Sequence, residues 1–86
     1  MTAYALQKLI REVNRDASTR RQFFESPLAV AARYDLTAAE RDALIARDYA
    51  ALYALGVHGL LLRPFSILHQ VSEPDYLRAI RGEPRA

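Results

Sequence analysis

Asp48 combines an ionisable side chain with apolar surroundings, which makes it the first candidate for chemistry. The pattern predicts a continuous helix over residues 37–55, and Asp48 and Arg41 fall on its wide apolar face. A carboxylate among leucines needs a cation or hydrogen-bond donors. We therefore predict a structural ion pair with Arg41, with Arg33 and Arg63 as alternative cations. The other interpretation is that Asp48 orients a ligand or a group of a partner.

The two histidines are the next candidates, and their spacing argues against a shared metal. His58 lies in a Gly56-Val57-His58-Gly59 corner, where glycine lets the backbone approach another group closely. It could cap the preceding carbonyls, pack at an interface, or face a bound ligand. His69 follows eleven residues later, which is about 16 Å along a helix. We expect no metal site and no cofactor within this chain.

The remaining catalytic patterns are weak. Ser66 lies three residues before His69 and could share its helical face, but nucleophilic catalysis also needs an orienting acid at that place. The chain has three glycines and no cysteine, which excludes a glycine-rich phosphate loop, a disulfide and a thiolate zinc site. The sequence therefore predicts that the chain is not catalytic alone.

Hydrophobic spacing and capping residues predict a series of short helices that would position these side chains. Thr37 and Glu40 form a capping-box pattern at the start of the central helix, and Gly56 is a natural stop. Pro64 predicts a kink or break near residues 60–63. The predicted segments are a helix over about 3–15, a short helix capped by Ser18, a helix from Ser26-Pro27 to Tyr34, the helix over 37–55, an apolar stretch over 57–71, and a last helix over 75–81 that Ser72 opens and Gly82 ends.

No strand-like alternation occurs, so we predict an all-α fold, a compact orthogonal bundle of five to six short helices. Residues 1–82 form the single domain and residues 83–86 a flexible tail. A chain of 86 residues has a thin stability margin, and small domains often depend on disulfides, metals or a partner. Because the composition argues against disulfides and metals, we expect a partner or self-association.

Composition also bears on the class of partner. The net charge is +2 and the basic residues are scattered among acidic ones, whereas nucleic-acid binders concentrate Lys and Arg on one face. The most apolar run, residues 50–62, is too short to span a membrane, and no signal peptide is visible. We expect a cytoplasmic protein that binds neither nucleic acid nor membrane.

Surplus apolar residues predict an interface. Three consecutive leucines at 60–62 span about 200° of a helix surface, so they cannot all face one core. The aromatic residues Tyr49, Tyr53, Phe65 and Tyr76 could line a pocket, but such spacing is more typical of core or interface. We assign the interface to Tyr49, Tyr53, Leu60 and Leu62.

The same stretch is similar to a known family. The residues that carry the likeness are Leu36-Thr37, Glu40-Arg41, Ala43-Leu44, Arg47-Asp48-Tyr49, Leu52 and Leu55-Gly56, with Phe24, Leu28 and Tyr34 before them and Ser72, Tyr76-Leu77, Ile80 and Gly82 after them. Over roughly residues 20–82 the chain resembles the small, alpha-type (LigA-like) subunit of class III extradiol ring-cleavage dioxygenases of the protocatechuate 4,5-dioxygenase type.

The resemblance implies a helical, iron-free accessory subunit. Such a subunit packs on a larger beta-type subunit that binds Fe(II) through two His and a Glu, and closes over its active site. By resemblance, the residues nearest the aromatic substrate are Gly56, Val57, His58, Leu61 and Phe65. The alternative is a free-standing recognition domain, for example for a peptide-modifying enzyme, or a homo-oligomer without a role in ring cleavage.

Overall fold

The computed structural model describes residues 3–81, and within them the chain forms seven α-helices without a strand. The helices are α1 (Tyr4–Arg15), α2 (Ala17–Glu25), α3 (Pro27–Ala31), α4 (Ala38–Ala46), α5 (Tyr49–Ala54), α6 (Gly59–Leu68) and α7 (Glu73–Ile80). The predicted all-α bundle is confirmed. The predicted helix end at Gly82 and the tail 83–86 lie outside the described residues.

Local capping sets most helix starts. The Thr37 side chain accepts from the Glu40 N–H while the Glu40 carboxylate accepts from the Thr37 N–H, so the predicted capping box is present. Ser72 caps α7, as predicted. The cap of α2 is Asp16 instead of Ser18, and its carboxylate accepts from the Thr19 N–H and hydroxyl. These bonds hold the pKa of Asp16 below its usual value.

The single helix predicted over residues 37–55 is wrong, because the chain turns at Arg47. Arg47 adopts a left-handed conformation with φ 55° and ψ 42°. That conformation ends α4, and the Asp48 N–H donates to the Ala43 carbonyl across the turn. Helix α5 then begins at Tyr49 in a new direction. The division raises the number of helices above the five or six expected.

Helix α6 also differs from the sequence prediction. It runs from Gly59 to Leu68 with Pro64 inside it, so of the kink or break predicted near residues 60–63, the break does not occur. Proline removes one backbone donor in a helix interior and crowds the carbonyl four residues earlier. That carbonyl belongs to Leu60, in the first turn of the helix, where Leu60 is largely exposed.

One apolar core holds the helices together. Its buried residues are Ala3, Leu6, Leu9, Ile10, Val13, Phe23, Val30, Ala31, Ala43, Leu44, Tyr49, Leu52, Val57, Leu62, Phe65 and Tyr76. Helix α1 contributes the predicted stripe and packs against both α2 and α6. The Asn14 side chain adds a polar tie, donating to the Leu61 carbonyl at 3.0 Å. Helix α6 is thus fixed to the start of the chain.

Candidate functional site

The turn between α5 and α6 is the most distinctive exposed feature, and we call residues 53–60 the helix corner. Gly56 has φ +110°, a conformation that L-residues with a side chain rarely adopt. The next residue, Val57, is buried, and its N–H donates to the Leu52 carbonyl. Gly56 therefore allows the chain to turn here, and the buried Val57 side chain holds the turn against the core.

His58 lies at the tip of the corner and caps the following helix, α6. Its Nδ1 accepts from the Leu60 N–H at 3.1 Å, and its own N–H donates to Gln7 Oε1 at 3.0 Å. The prediction that it could cap the preceding carbonyls is therefore wrong. Because Nδ1 is an acceptor, the neutral ring carries its proton on Nε2. The exposed imidazole thus offers one N–H donor in a fixed orientation.

The five residues assigned to the lid by resemblance divide into exposed and buried groups. Gly56 and His58 are exposed and Leu61 is partly buried. Val57 and Phe65 are buried in the core, so within this chain they support the corner and do not form its surface. Of the five residues that the resemblance places nearest the substrate, only Gly56 and His58 are therefore fully exposed in this chain.

The predicted interface divides in the same way. Leu60 is 80% exposed and Tyr53 is 51% exposed, so both are available to a partner. Tyr49 and Leu62 are wrongly assigned to the interface, because they are almost completely buried in the chain's own core. Tyr49 belongs to α5, which packs against α7. Leu62 belongs to α6, which packs against α1.

The sequence reasoning missed an apolar face on α6. Leu60, Pro64 and Ile67 are all exposed and follow the i, i+4, i+7 spacing of one helical face. We call these three residues the α6 face. The spacing was visible in the sequence, but the expected break at Pro64 hid it. The α6 face continues from the helix corner through Leu60.

The predicted ion pair of Asp48 with Arg41 is not formed among residues 3–81. Asp48 is exposed, and its carboxylate caps α5 by accepting from the Ala51 N–H at 3.1 Å. The guanidinium of Arg41 lies 3.8 Å from the carboxylate of the adjacent Asp42. The prediction failed because the turn at Arg47 removes Asp48 from the face that a continuous helix would give it.

Three of the four aromatic residues that could line a pocket belong to the core, as their helical spacing indicated. Tyr49, Phe65 and Tyr76 are buried, whereas Tyr53 faces outward. His69 lies among these rings, and its Nδ1 is 3.0 Å from the Tyr49 hydroxyl. Burial, with a smaller contribution from the positive charge of Arg47, lowers the pKa of His69 to about 4.

The Ser66–His69 pair does not form a nucleophile and base. The Ser66 hydroxyl is buried and donates to the Arg63 carbonyl at 2.7 Å, while it accepts from Arg63 Nη1 at 3.1 Å. These bonds turn the hydroxyl back onto its own helix. Nor do residues 3–81 contain a group of three or more His, Cys, Asp or Glu side chains that could hold a metal ion.

An open groove of about 700 Å³ lies between α1 and the segment that leads into α4. Lys8 and Arg33 line it together with Asp35 and Glu40, so both signs of charge face the same space. Tyr34 contributes a ring whose hydroxyl donates to the Glu12 carboxylate. Because charges of both signs line this groove, the groove favours no class of ligand. The helix corner therefore remains the best candidate site.

Comparison with known proteins gives one result. The family described as "Aromatic-ring-opening dioxygenase LigAB, LigA subunit" matches residues 6–86, which is nearly the whole chain. No curated protein matches significantly, and neither does any solved structure. Within the described residues, no helix is both long and apolar enough to cross a membrane. This chain belongs to the LigA family of aromatic-ring-opening dioxygenase subunits.

Proposed function

We propose that this chain is a non-catalytic small subunit that caps the active site of an Fe(II) extradiol ring-cleavage dioxygenase. Membership in the LigA family supports the role of a subunit. The observation that carries the capping role is the helix corner, where His58 and Leu60 are exposed beside a glycine turn with φ +110°. Cytoplasmic location and assembly into a hetero-oligomer are parts of the same proposal.

The catalytic iron belongs to the partner subunit in this proposal. Residues 3–81 offer no cluster of metal-binding side chains, so they do not fit such a centre. The contribution of this chain is to exclude water from the aromatic substrate and to shape the space around it. Leu60 and Tyr53 supply apolar surface, and the His58 Nε2–H supplies one directed donor.

The α6 face is the proposed docking surface for the catalytic subunit. Leu60, Pro64 and Ile67 present apolar side chains to solvent along nearly the whole helix. A row of exposed apolar residues of this kind is typical of a protein–protein contact. Since Leu60 belongs to both the α6 face and the helix corner, docking along α6 would bring His58 to the partner.

Co-expression with the ring-cleavage subunit from the same genome tests docking. Leu60→Asp should abolish co-purification, because it places a charge in the middle of an apolar contact. Leu28→Asp is the matched control, since Leu28 is also exposed, at 59%, but lies on α3. Equal co-purification of both variants would contradict docking through α6. Failure of the wild-type chain to recruit any such subunit would favour a free-standing recognition domain or a homo-oligomer.

His58→Asn tests the capping role within the intact complex. Asparagine preserves an acceptor for the α6 N–H groups but lacks the Nε2–H of histidine. We expect a complex of normal composition whose turnover of a catechol-type substrate falls about tenfold or more, the usual range for losing a hydrogen bond near the reacting centre. Unchanged turnover in an intact complex would refute contact between the corner and the active site.

A further inference from the structure

His69 occupies an aromatic cluster where three helices meet. It follows the last residue of α6, and its ring is surrounded by side chains of α2, α5 and α6. The centroid distances from the imidazole are 4.5 Å to Phe65, 5.4 Å to Phe24, 6.2 Å to Phe23 and 6.3 Å to Tyr49. The Phe65 ring stands at 90° to the imidazole, an edge-to-face arrangement.

The hydrogen bonding of His69 suits a neutral ring. Its Nδ1 lies 3.0 Å from the Tyr49 hydroxyl, while its buried Nε2 has no hydrogen-bond partner among residues 3–81. A protonated imidazole carries an N–H on both nitrogens. Protonation would therefore add a positive charge to a buried ring whose Nε2–H has no acceptor among residues 3–81, which is strongly unfavourable in apolar surroundings.

Besides burial, which has the larger effect, Arg47 also opposes a positive charge on His69, whereas the Phe65 backbone carbonyl favours one and raises the pKa of His69. The turn before α5 contributes Arg47, whose charge lowers the pKa of His69 in the same direction as burial. Helix α2 contributes two phenyl rings and α5 the Tyr49 hydroxyl. On α6, the Arg63 guanidinium lies over the Tyr76 ring at 5.1 Å and donates to the Val71 carbonyl.

We propose that His69 is a proton-sensitive lock, which fastens the C-terminal end of α6 to α2 and α5 when neutral and releases it when protonated. Release carries the imidazolium into water and leaves Phe23 and Phe24 without their cover. The lock is a property of the fold and does not depend on the proposed function. The direction of the pH dependence of stability follows from linkage. Because the folded state resists protonation of His69, stability is greatest above about pH 6.5 and declines as the pH falls toward about 4.

Proton NMR of the histidine rings in the wild-type chain is the direct test. The spectrum of His58→Gln assigns the signals, because the chain has only two histidines, His58 and His69. We expect the His69 signal to titrate with a midpoint near pH 4, and the Phe23 and Phe24 signals to move with the same midpoint. A midpoint of about 6 or higher would overturn the proposal, as would a titration that leaves the phenylalanine signals unchanged.

Urea unfolding at two pH values gives an independent measurement. Between about pH 7 and pH 5, the wild-type unfolding constant should rise about twentyfold more than that of His69→Gln, because glutamine has no titration in this range. Leu28→Gln, at an exposed position of α3, serves as the control and should show the pH dependence of the wild type. Equal pH dependence of the wild type and His69→Gln would overturn the proposal. If His69→Gln does not fold, the NMR titration of the wild type decides alone.

Discussion

Among the described residues that are not glycine, Arg47 and Gln70 have a positive φ, and Arg47 is the one that ends α4, where the chain turns into α5. It sits at φ 55°, in the left-handed region, with its side chain exposed at the turn between α4 and α5. A left-handed conformation costs a residue with a side chain roughly 1–2 kcal/mol. The chain accepts this cost because the turn allows both short helices to bury their apolar faces in one core.

Replacing Arg47 by glycine should therefore stabilise the protein. We expect Arg47→Gly to raise the free energy of unfolding by about 0.5–1 kcal/mol, since relief of the left-handed strain exceeds the extra chain entropy of glycine. Arg47→Ala is the control, because it removes the same charge but keeps the strain. Urea unfolding followed by circular dichroism measures both, and an equal effect of the two substitutions would rule out backbone strain as the cause.

Asp48 performs a second task at the same turn, because its carboxylate caps α5. Asp48→Ala should lower the free energy of unfolding by about 1 kcal/mol, the usual cost of losing an N-cap. Asp48→Asn should stay within a few tenths of the wild type, since asparagine caps equally well. Thermal unfolding of the three proteins compares them, and a large loss in Asp48→Asn would instead indicate a role for the negative charge.

At the level of helices, starts that depend on side-chain caps could be read from the sequence. Thr37 with Glu40 marked the beginning of α4, and Ser72 marked that of α7. The end of α4 could not be read, because arginine carries no signal for a left-handed conformation. Because that turn was missed, Asp48 was predicted to lie on an apolar face, whereas it is an exposed helix cap. The turn at Gly56 was predicted correctly, because glycine dictates it, whereas the burial of Phe65 could not be read from its position in the sequence.

The consecutive leucines of α6 allow a prediction about this helix. Leu62 is fully buried, so Leu62→Ala should cost about 2–4 kcal/mol through lost packing and a residual cavity. Leu60 is 80% exposed, so Leu60→Ala should change stability by less than about 0.5 kcal/mol. Chemical unfolding distinguishes the two variants. A large loss from Leu60→Ala would mean that the α6 face is covered in solution, for example by a second copy of the chain.

At the scale of the whole molecule, one core joins residues from every helix. Buried side chains of α1 pack against α6, although these helices lie far apart in the sequence. We expect a single cooperative unfolding transition, since no helix has a separate core to retain. Circular dichroism in the far ultraviolet and tyrosine fluorescence should give the same urea midpoint. Helical signal that outlasts the tyrosine change would reveal a partly independent unit.

The turn at Arg47 has a further consequence for the integrity of the polypeptide. It exposes a basic residue between α4, which packs against α3 in the first half of the chain, and α5, which packs against α6 and α7 in the second half. A peptide-bond cut after Arg47 would remove little of the packing, because the cut lies outside the core. The two pieces should then remain associated and behave as complementing fragments, each acting as the template on which the other folds.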